Sequence, residues 1–229
     1  MPKVFLFKNF KAKGLVCAVS TKEIGDLSIS SKNLKNNLEK FCKTLNISPT
    51  SVIALKQVHS NKIKHVSKKD CGKIIEGADG LITTQRNVFL LIKCADCLPL
   101  VFFDKKLGIV GAAHAGWRGT VAGVAREMVK DFFKLGSNKK NITVGIGPGI
   151  CQKHYEVGKE VKNKIKDKTV FEDSNLNLVK ANINQLKEEG IEEKNIETIN
   201  LCTFEEKDLY SHRRGETERF GTVIGFSKN

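Results

Sequence analysis

Residues 88–119 read VFLLIKCADCLPLVFFDKKLGIVGAAHAGWRG, and this stretch decides the fold. Three runs within it, 88–92, 98–103 and 109–113, are apolar on successive rather than alternate residues. That pattern marks strands covered on both faces. The gaps between the runs are too short for crossover helices, so the spacing predicts antiparallel neighbours and an α+β rather than a doubly wound class.

Further β-rich runs lie at 4–7, 15–19, 52–55 and 142–146, with a weaker one at 222–226. After Trp117, the residues Val121, Val124, Ala125, Met128, Val129, Phe132 and Leu135 recur at helical spacing until Gly136 stops them. Residues 33–45 and 176–189 are two more helix candidates, each ending near Asn or Gly. No repeat of 20 to 50 residues is visible and no Gly- or Pro-rich linker interrupts the chain. One compact domain over 1–229 is the expectation.

The 229 residues are 40% hydrophobic and 28% charged, which excludes disordered, collagen-like and low-complexity classes. The longest uncharged, mostly apolar stretch, 107–117, is shorter than the roughly 20 residues of a spanning helix. Lys8, Lys11 and Lys13 cut short the apolar piece at 4–7, so a secretion signal is not expected and a cytoplasmic location is.

A formal net charge of +14 raises nucleic acid as a partner. The distribution argues against it. Only six of the 39 basic residues are Arg, the lysines are scattered, and no aromatic interleaving supplies a stacking platform. Arg118, in a Gly-rich motif, and Arg213, Arg214 and Arg219, in one C-terminal stretch, instead suggest a small anionic ligand.

The seven cysteines form no disulfide framework in a chain without a signal. Cys17, Cys42, Cys71 and Cys151 read as small buried hydrophobes. Cys94-x-x-Cys97 is different, because it lies beside a turn at a strand end. A closed structural metal site would want a second Cys-x-x-Cys or Cys-x-x-His pair, and none is assigned. The two residues differ by an odd number, so on a regular strand only one faces a given side. Cys97, next to Leu98-Pro99, is the preferred ligand.

His59 in Gln57-Val58-His59 and His114, flanked by Ala113, Ala115 and Gly116, supply two imidazoles at strand ends. Two imidazoles and one thiolate suit Zn²⁺, and three protein ligands leave a position for water or substrate. A deaminase-type pattern would combine His154-Tyr155-Glu156 with Cys94-x-x-Cys97, but the order is reversed and Lys93 replaces the required Pro. Gly145-Ile146-Gly147-Pro148-Gly149 lacks the spacing of a phosphate loop and reads as a tight turn. Of Arg213 and Arg214, one is expected to grip an anion and the other to form a structural ion pair.

Gln57-Val58-His59, Ala78-Asp79-Gly80, Ala95-Asp96-Cys97-Leu98-Pro99, His114-Ala115-Gly116-Trp117-Arg118-Gly119, Gly147-Pro148 and Tyr210-Ser211-His212-Arg213-Arg214 together resemble the YfiH-like family. That family was long labelled multicopper polyphenol oxidase or laccase-domain proteins and is now described as purine nucleoside phosphorylases. The resemblance covers about residues 50–226. It implies a mixed, mostly antiparallel β-sandwich-like core flanked by helices, and a zinc held by His59, Cys97 and His114.

It also implies phosphorolysis of adenosine, inosine and methylthioadenosine to free base and the sugar 1-phosphate, with deamination of adenosine as a second reaction. Copper is the alternative metal, yet a laccase needs roughly ten His or Cys ligands for its several centres. This chain has five histidines. Two departures from the family are Lys22, standing where an N-terminal Arg is usual, and Glu218 in place of a Gly. Cys94 is read as dispensable.

For phosphorolysis, Arg118 and Arg213 are the candidate anion holders and Asp96 a candidate proton carrier. Gln57 and His212 complete the substrate-binding set. The expected partners are a purine nucleoside and phosphate, with no nucleic acid or membrane, on a monomer or weak homodimer. A metal-dependent hydrolase of a cell-wall precursor is the runner-up enzyme, and a basic nucleic-acid-binding protein the non-enzyme alternative.

Overall fold

The computed structural model describes residues 1–228, which form two six-stranded sheets lying face to face. The first runs β1 (Val4–Leu6), β2 (Leu15–Ser20), β14 (Phe220–Phe226), β7 (Phe89–Cys94), β3 (Val52–Lys56), β5 (Ile74–Glu76). The second runs β13 (Ile196–Thr198), β10 (Ile142–Ile146), β8 (Leu98–Asp104), β9 (Ile109–Ala115), β6 (Gly80–Thr83), β4 (Ile63–His65). A small hairpin, β11 (Phe171–Glu172) and β12 (Asn175–Leu176), stands apart.

Each sheet is mixed. Pairing is antiparallel along β1-β2-β14-β7 and along β10-β8-β9-β6, and parallel for β7-β3, β3-β5, β10-β13 and β4-β6. The expected mostly antiparallel, sandwich-like α+β architecture is therefore present.

The doubly apolar strands are explained by four layers. Leu90 and Ile92 of β7 meet Val101 and Phe103 of β8 and Val110 of β9 between the sheets. Phe89 and Leu91 face outward onto Phe41 and Cys42 of α1 (Leu34–Thr44). Leu100 and Phe102 face the other way, onto Met128 and Phe132 of α3 (Val124–Lys134) and Leu186 of α5 (Leu178–Glu188). A strand buried on both faces cannot alternate polar with apolar residues, and these do not.

Two sequence expectations are corrected. Strands β7 and β8 do not pair: the chain leaves the first sheet at Cys94 and enters the second at Leu98, turning through Asp96 at φ +82°. The helix after Trp117 is two helices, α2 (Trp117–Ala122) and α3, because Gly123 adopts φ +80° between them. The weak run at 222–226 is the C-terminal part of β14, fully buried between β2 and β7. The short helix α4 (Lys159–Lys164) and strands β4, β5 and β13 carry too few periodic residues to be read from sequence.

Candidate metal centre and pocket

The turn after β7 and the ends of β3 and β9 meet at one rim of the sandwich. There His59, Cys97 and His114 bring one nitrogen or sulfur each to within 4.8 Å of one another. The two imidazole rings stand edge to face with centroids 4.9 Å apart. His114 is buried at the end of β9, Cys97 is half-buried and His59 is exposed, so the cluster opens outward.

Asp79 holds this arrangement from beneath. It is fully buried, and its carboxylate accepts the backbone N–H groups of Val58 (3.1 Å), His59 (3.0 Å) and Ser60 (2.6 Å) and the Ser60 hydroxyl (2.9 Å). These bonds stabilise a loop in which His59 sits at φ +60°, a region unfavourable to a residue with a Cβ. The same carboxylate lies 2.9 Å from His114 Nδ1, leaving Nε2 for the cluster.

Electrostatics follow from this packing. Burial pushes the Asp79 pKa up, but the His114 hydrogen bond and the N–H donors outweigh it and hold the carboxyl at about 2. Burial pushes His114 down, yet the neighbouring Cys97 and Asp79 raise it to about 9. Burial and then the charge of His114 lower the pKa of His59.

The donor set, two imidazoles and a thiolate with the Asp79 carboxylate orienting one imidazole from behind, suits a four-coordinate divalent metal with one position left open. Gly116 lets the backbone pass close to these side chains. A Cβ built on Gly116 would lie 2.7 Å from Cys97 Sγ and 3.4 Å from His59 Nδ1. Gly116 is required here by close approach, its φ of −80° being ordinary.

A cavity of about 680 Å³ opens over the cluster. Gln57, Asp96, Arg118, His212 and Arg213 all line it, together with His59, Cys97 and His114, so every site residue expected from sequence converges there. Their roles separate on inspection. Both amide atoms of Gln57 bond the backbone of Lys93, accepting from its N–H (3.2 Å) and donating to its carbonyl (2.7 Å). The Asp96 carboxylate accepts from Thr203 Oγ1 and from the Arg213 N–H, both at 2.6 Å. Gln57 and Asp96 thus hold the walls in place. Arg118 is exposed, its guanidinium 4.3 Å over the Trp117 ring. Arg213 donates to the carbonyls of His154 (3.2 Å) and Glu156 (2.9 Å) and lies over Tyr155.

Sequence reasoning quoted Ala78-Asp79-Gly80 only as a motif and gave the buried Asp79 no role, and it gave none to Tyr155, whose phenol pKa is raised by burial and then by Cys97. Lys93 is buried in the wall, its pKa lowered by that burial to about 8, and donates to the Leu55 carbonyl (2.5 Å). Lys22 is not a wall residue: its ammonium pairs with Glu216 and lies over Tyr210. Glu218 accepts the Thr217 N–H and lies outside the cavity lining. Arg214 is the structural arginine, bonded to Glu216 and to the carbonyls of Thr203 and Phe204.

Cys94 is buried between the sheets and outside the cluster, so the deaminase-type pattern is not assembled. The Gly147-Pro148-Gly149 turn serves close packing: Cβ atoms there would strike Pro99 Cγ (2.7 Å) and Leu98 Cδ2 (2.3 Å). All seven cysteines are free thiols. Two expected to be buried, Cys71 and Cys151, are only half-buried, since neither lies in a sheet interior. Among the described residues no helix is long and apolar enough to cross a membrane.

The family model described as multi-copper polyphenol oxidoreductase laccase matches residues 22–227. Purine nucleoside phosphorylase YlmD of Bacillus subtilis is 35% identical over 213 residues, covering 84% of this chain and 77% of its own. A purine nucleoside phosphorylase of Deinococcus radiodurans is 32% identical over 212 residues, covering 90% and 82%. Adenosine deaminase RL5, from an unknown prokaryotic organism, is 40% identical over 92 residues, 40% of this chain and 35% of its own. Among solved structures, YlmD of Geobacillus stearothermophilus superposes with a TM-score of 0.89 at 28% identity, covering 94% of this chain and 93% of that one. The Bacillus licheniformis hypothetical protein YfiH gives 0.92 at 27% identity, covering 99% and 97%. By sequence, by fold and by extent along the chain, this protein belongs to the multi-copper polyphenol oxidoreductase laccase family, the family of YlmD and YfiH.

Proposed function

We propose that the protein is a zinc-dependent purine nucleoside phosphorylase acting on adenosine, inosine and methylthioadenosine. The observation that carries this reading is the cavity itself: about 680 Å³, nucleoside-sized, with one carboxylate and several cations in its wall and the His59, Cys97 and His114 cluster at its base. The similarity to proteins named purine nucleoside phosphorylase supports it.

Phosphorolysis requires phosphate to reach C1′ of the ribose as the bond to the purine breaks with oxocarbenium-like charge. The chain must therefore fix an anion beside a sugar and exclude water. Arg118 and Arg213 hold the phosphate, each supported by an aromatic ring. Asp96 is a positioning residue that fixes the backbone carrying Arg213. His212 and the Trp117 and Tyr155 rings receive the nucleoside. His59, Cys97 and His114 would hold the zinc, which when bound would supply Lewis acidity at the base of the cavity.

Deamination of adenosine as a second reaction is favoured by the relative named adenosine deaminase and by the open zinc position. Multicopper chemistry is disfavoured by the ligand supply. Among the described residues a single cluster of potential metal ligands contains histidine, and it offers three side chains.

The test is base release from adenosine and inosine, followed by chromatography, with zinc-loaded protein and His114→Ala as control. Release that requires both phosphate and His114 is the expected result. No release from folded, zinc-loaded protein would overturn the reading.

A further inference from the structure

A second cavity, of about 780 Å³, lies away from the first, and on its wall stand two turns placed side by side. In one, the His154 N–H bonds the Cys151 carbonyl (3.1 Å). In the other, the Glu205 N–H bonds the Cys202 carbonyl (3.1 Å). Each turn presents its first and fourth residues together, giving a Cys-x-x-His pair and a Cys-x-x-Glu pair. A parallel bridge between Gly149 and Cys202 brings the turns into register. The Thr203 N–H fixes it by donating to the Gly149 carbonyl (3.0 Å).

As a result, Cys151 Sγ, Cys202 Sγ and a Glu205 carboxylate oxygen lie within 4.8 Å of one another. The Cys151 N–H donates to Cys202 Sγ (3.2 Å), which holds the two sulfur-bearing turns together. Glu205 Oε1 is 2.9 Å from His154 Nε2, and the His154 ring is held against Phe204 with centroids 4.4 Å apart. Lys153 Nζ lies 3.9 Å from Glu205 and is largely exposed, so it can turn to solvent. Two sulfurs and a carboxylate, the last oriented by an imidazole, on the wall of an open cavity are a ligand set for a borderline-soft divalent ion.

We propose that Cys151, Cys202 and Glu205 form a second zinc site, with His154 as the residue that orients Glu205. The site joins the turns that carry the pocket wall. Arg213 donates to the carbonyls of His154 and Glu156, while Asp96 accepts from Thr203 and from the Arg213 N–H. A metal there would tie residues 151–156 to 202–205 and fix the arginine between them. The inference is independent of what the first site catalyses.

The test is cobalt titration of metal-stripped full-length protein under reducing conditions, reading bound metal per chain and the cobalt–thiolate absorption. Wild type is expected to bind two ions. Cys151→Ser/Cys202→Ser is expected to bind one, with the absorption reduced about threefold, because one thiolate remains of three. His59→Ala/His114→Ala is expected to keep one ion with a two-thiolate spectrum. A wild-type stoichiometry of one with a single-thiolate spectrum overturns the proposal whether or not the variants fold. So does a stoichiometry of two that survives in folded Cys151→Ser/Cys202→Ser.

Discussion

Replacing Asp79 with Asn keeps the shape of the side chain and removes the charge that His114 Nδ1 and three backbone N–H groups face. Metal affinity at the cluster is expected to fall about 10- to 100-fold, read by competition with a chromophoric chelator. The titration of His114 adds a second expectation. With its pKa raised to about 9, the metal-free imidazole carries a proton through the neutral range, and a proton on Nε2 competes with a metal. Zinc affinity is therefore expected to rise with pH up to about 9, with protons released on binding. Calorimetry in buffers of different ionisation enthalpy measures this directly. The three side chains that converge were singled out in the sequence by residue type, by their place at strand ends and turns, and by the family resemblance together, His59 being weak on its own. Asp79 was not, because its partner His114 lies 35 residues on, and no spacing rule connects a buried carboxylate to a histidine on another strand. The second cysteine pair escaped for the same reason: Cys151-x-x-His154 is a metal-type pair that the sequence reading passed over, and its partner turn lies 51 residues away.

At the scale of elements, β9 shows how tightly the helices press on the sheet. A Cβ on Gly111 would lie 2.7 Å from Met128 Sδ and 2.9 Å from Phe132 Cε2 of α3. Gly111→Ala is expected to destabilise by about 1–3 kcal/mol through overpacking, measured by urea unfolding. The apolar runs at 88–92, 98–103 and 109–113 identified three strands correctly, because burial on both faces leaves an unbroken apolar signature. What they could not convey was which sheet each strand joins. The partition between β7 and β8 depends on the conformation of Asp96, a single left-handed residue in a three-residue connection. Likewise one helical period spans α2 and α3, because the break at Gly123 re-aims the chain without changing which residues are apolar.

Across the whole molecule, the sheets are assembled from distant parts of the sequence. Strand β14, close to the C-terminus, lies between β2 and β7, so the first sheet is two separate pieces until it arrives. A chain ended at Arg219 is expected to lose cooperative thermal unfolding and metal binding together, monitored by calorimetry and cobalt absorption. The +14 charge belongs to this scale too, and its dispersal over the surface contrasts with the arginines gathered at the cavity.

The central position of β14 also bears on biosynthesis. His59, Cys97 and His114 leave the ribosome well before residues 220–226, so all three emerge while the first sheet, whose β3 leads to His59 and whose β7 leads to Cys97, is unfinished. Pairing across such a sequence separation is slow to form. Closure of the first sheet therefore waits on β14, and a metal offered to the emerging chain would meet its ligands before their final geometry is set.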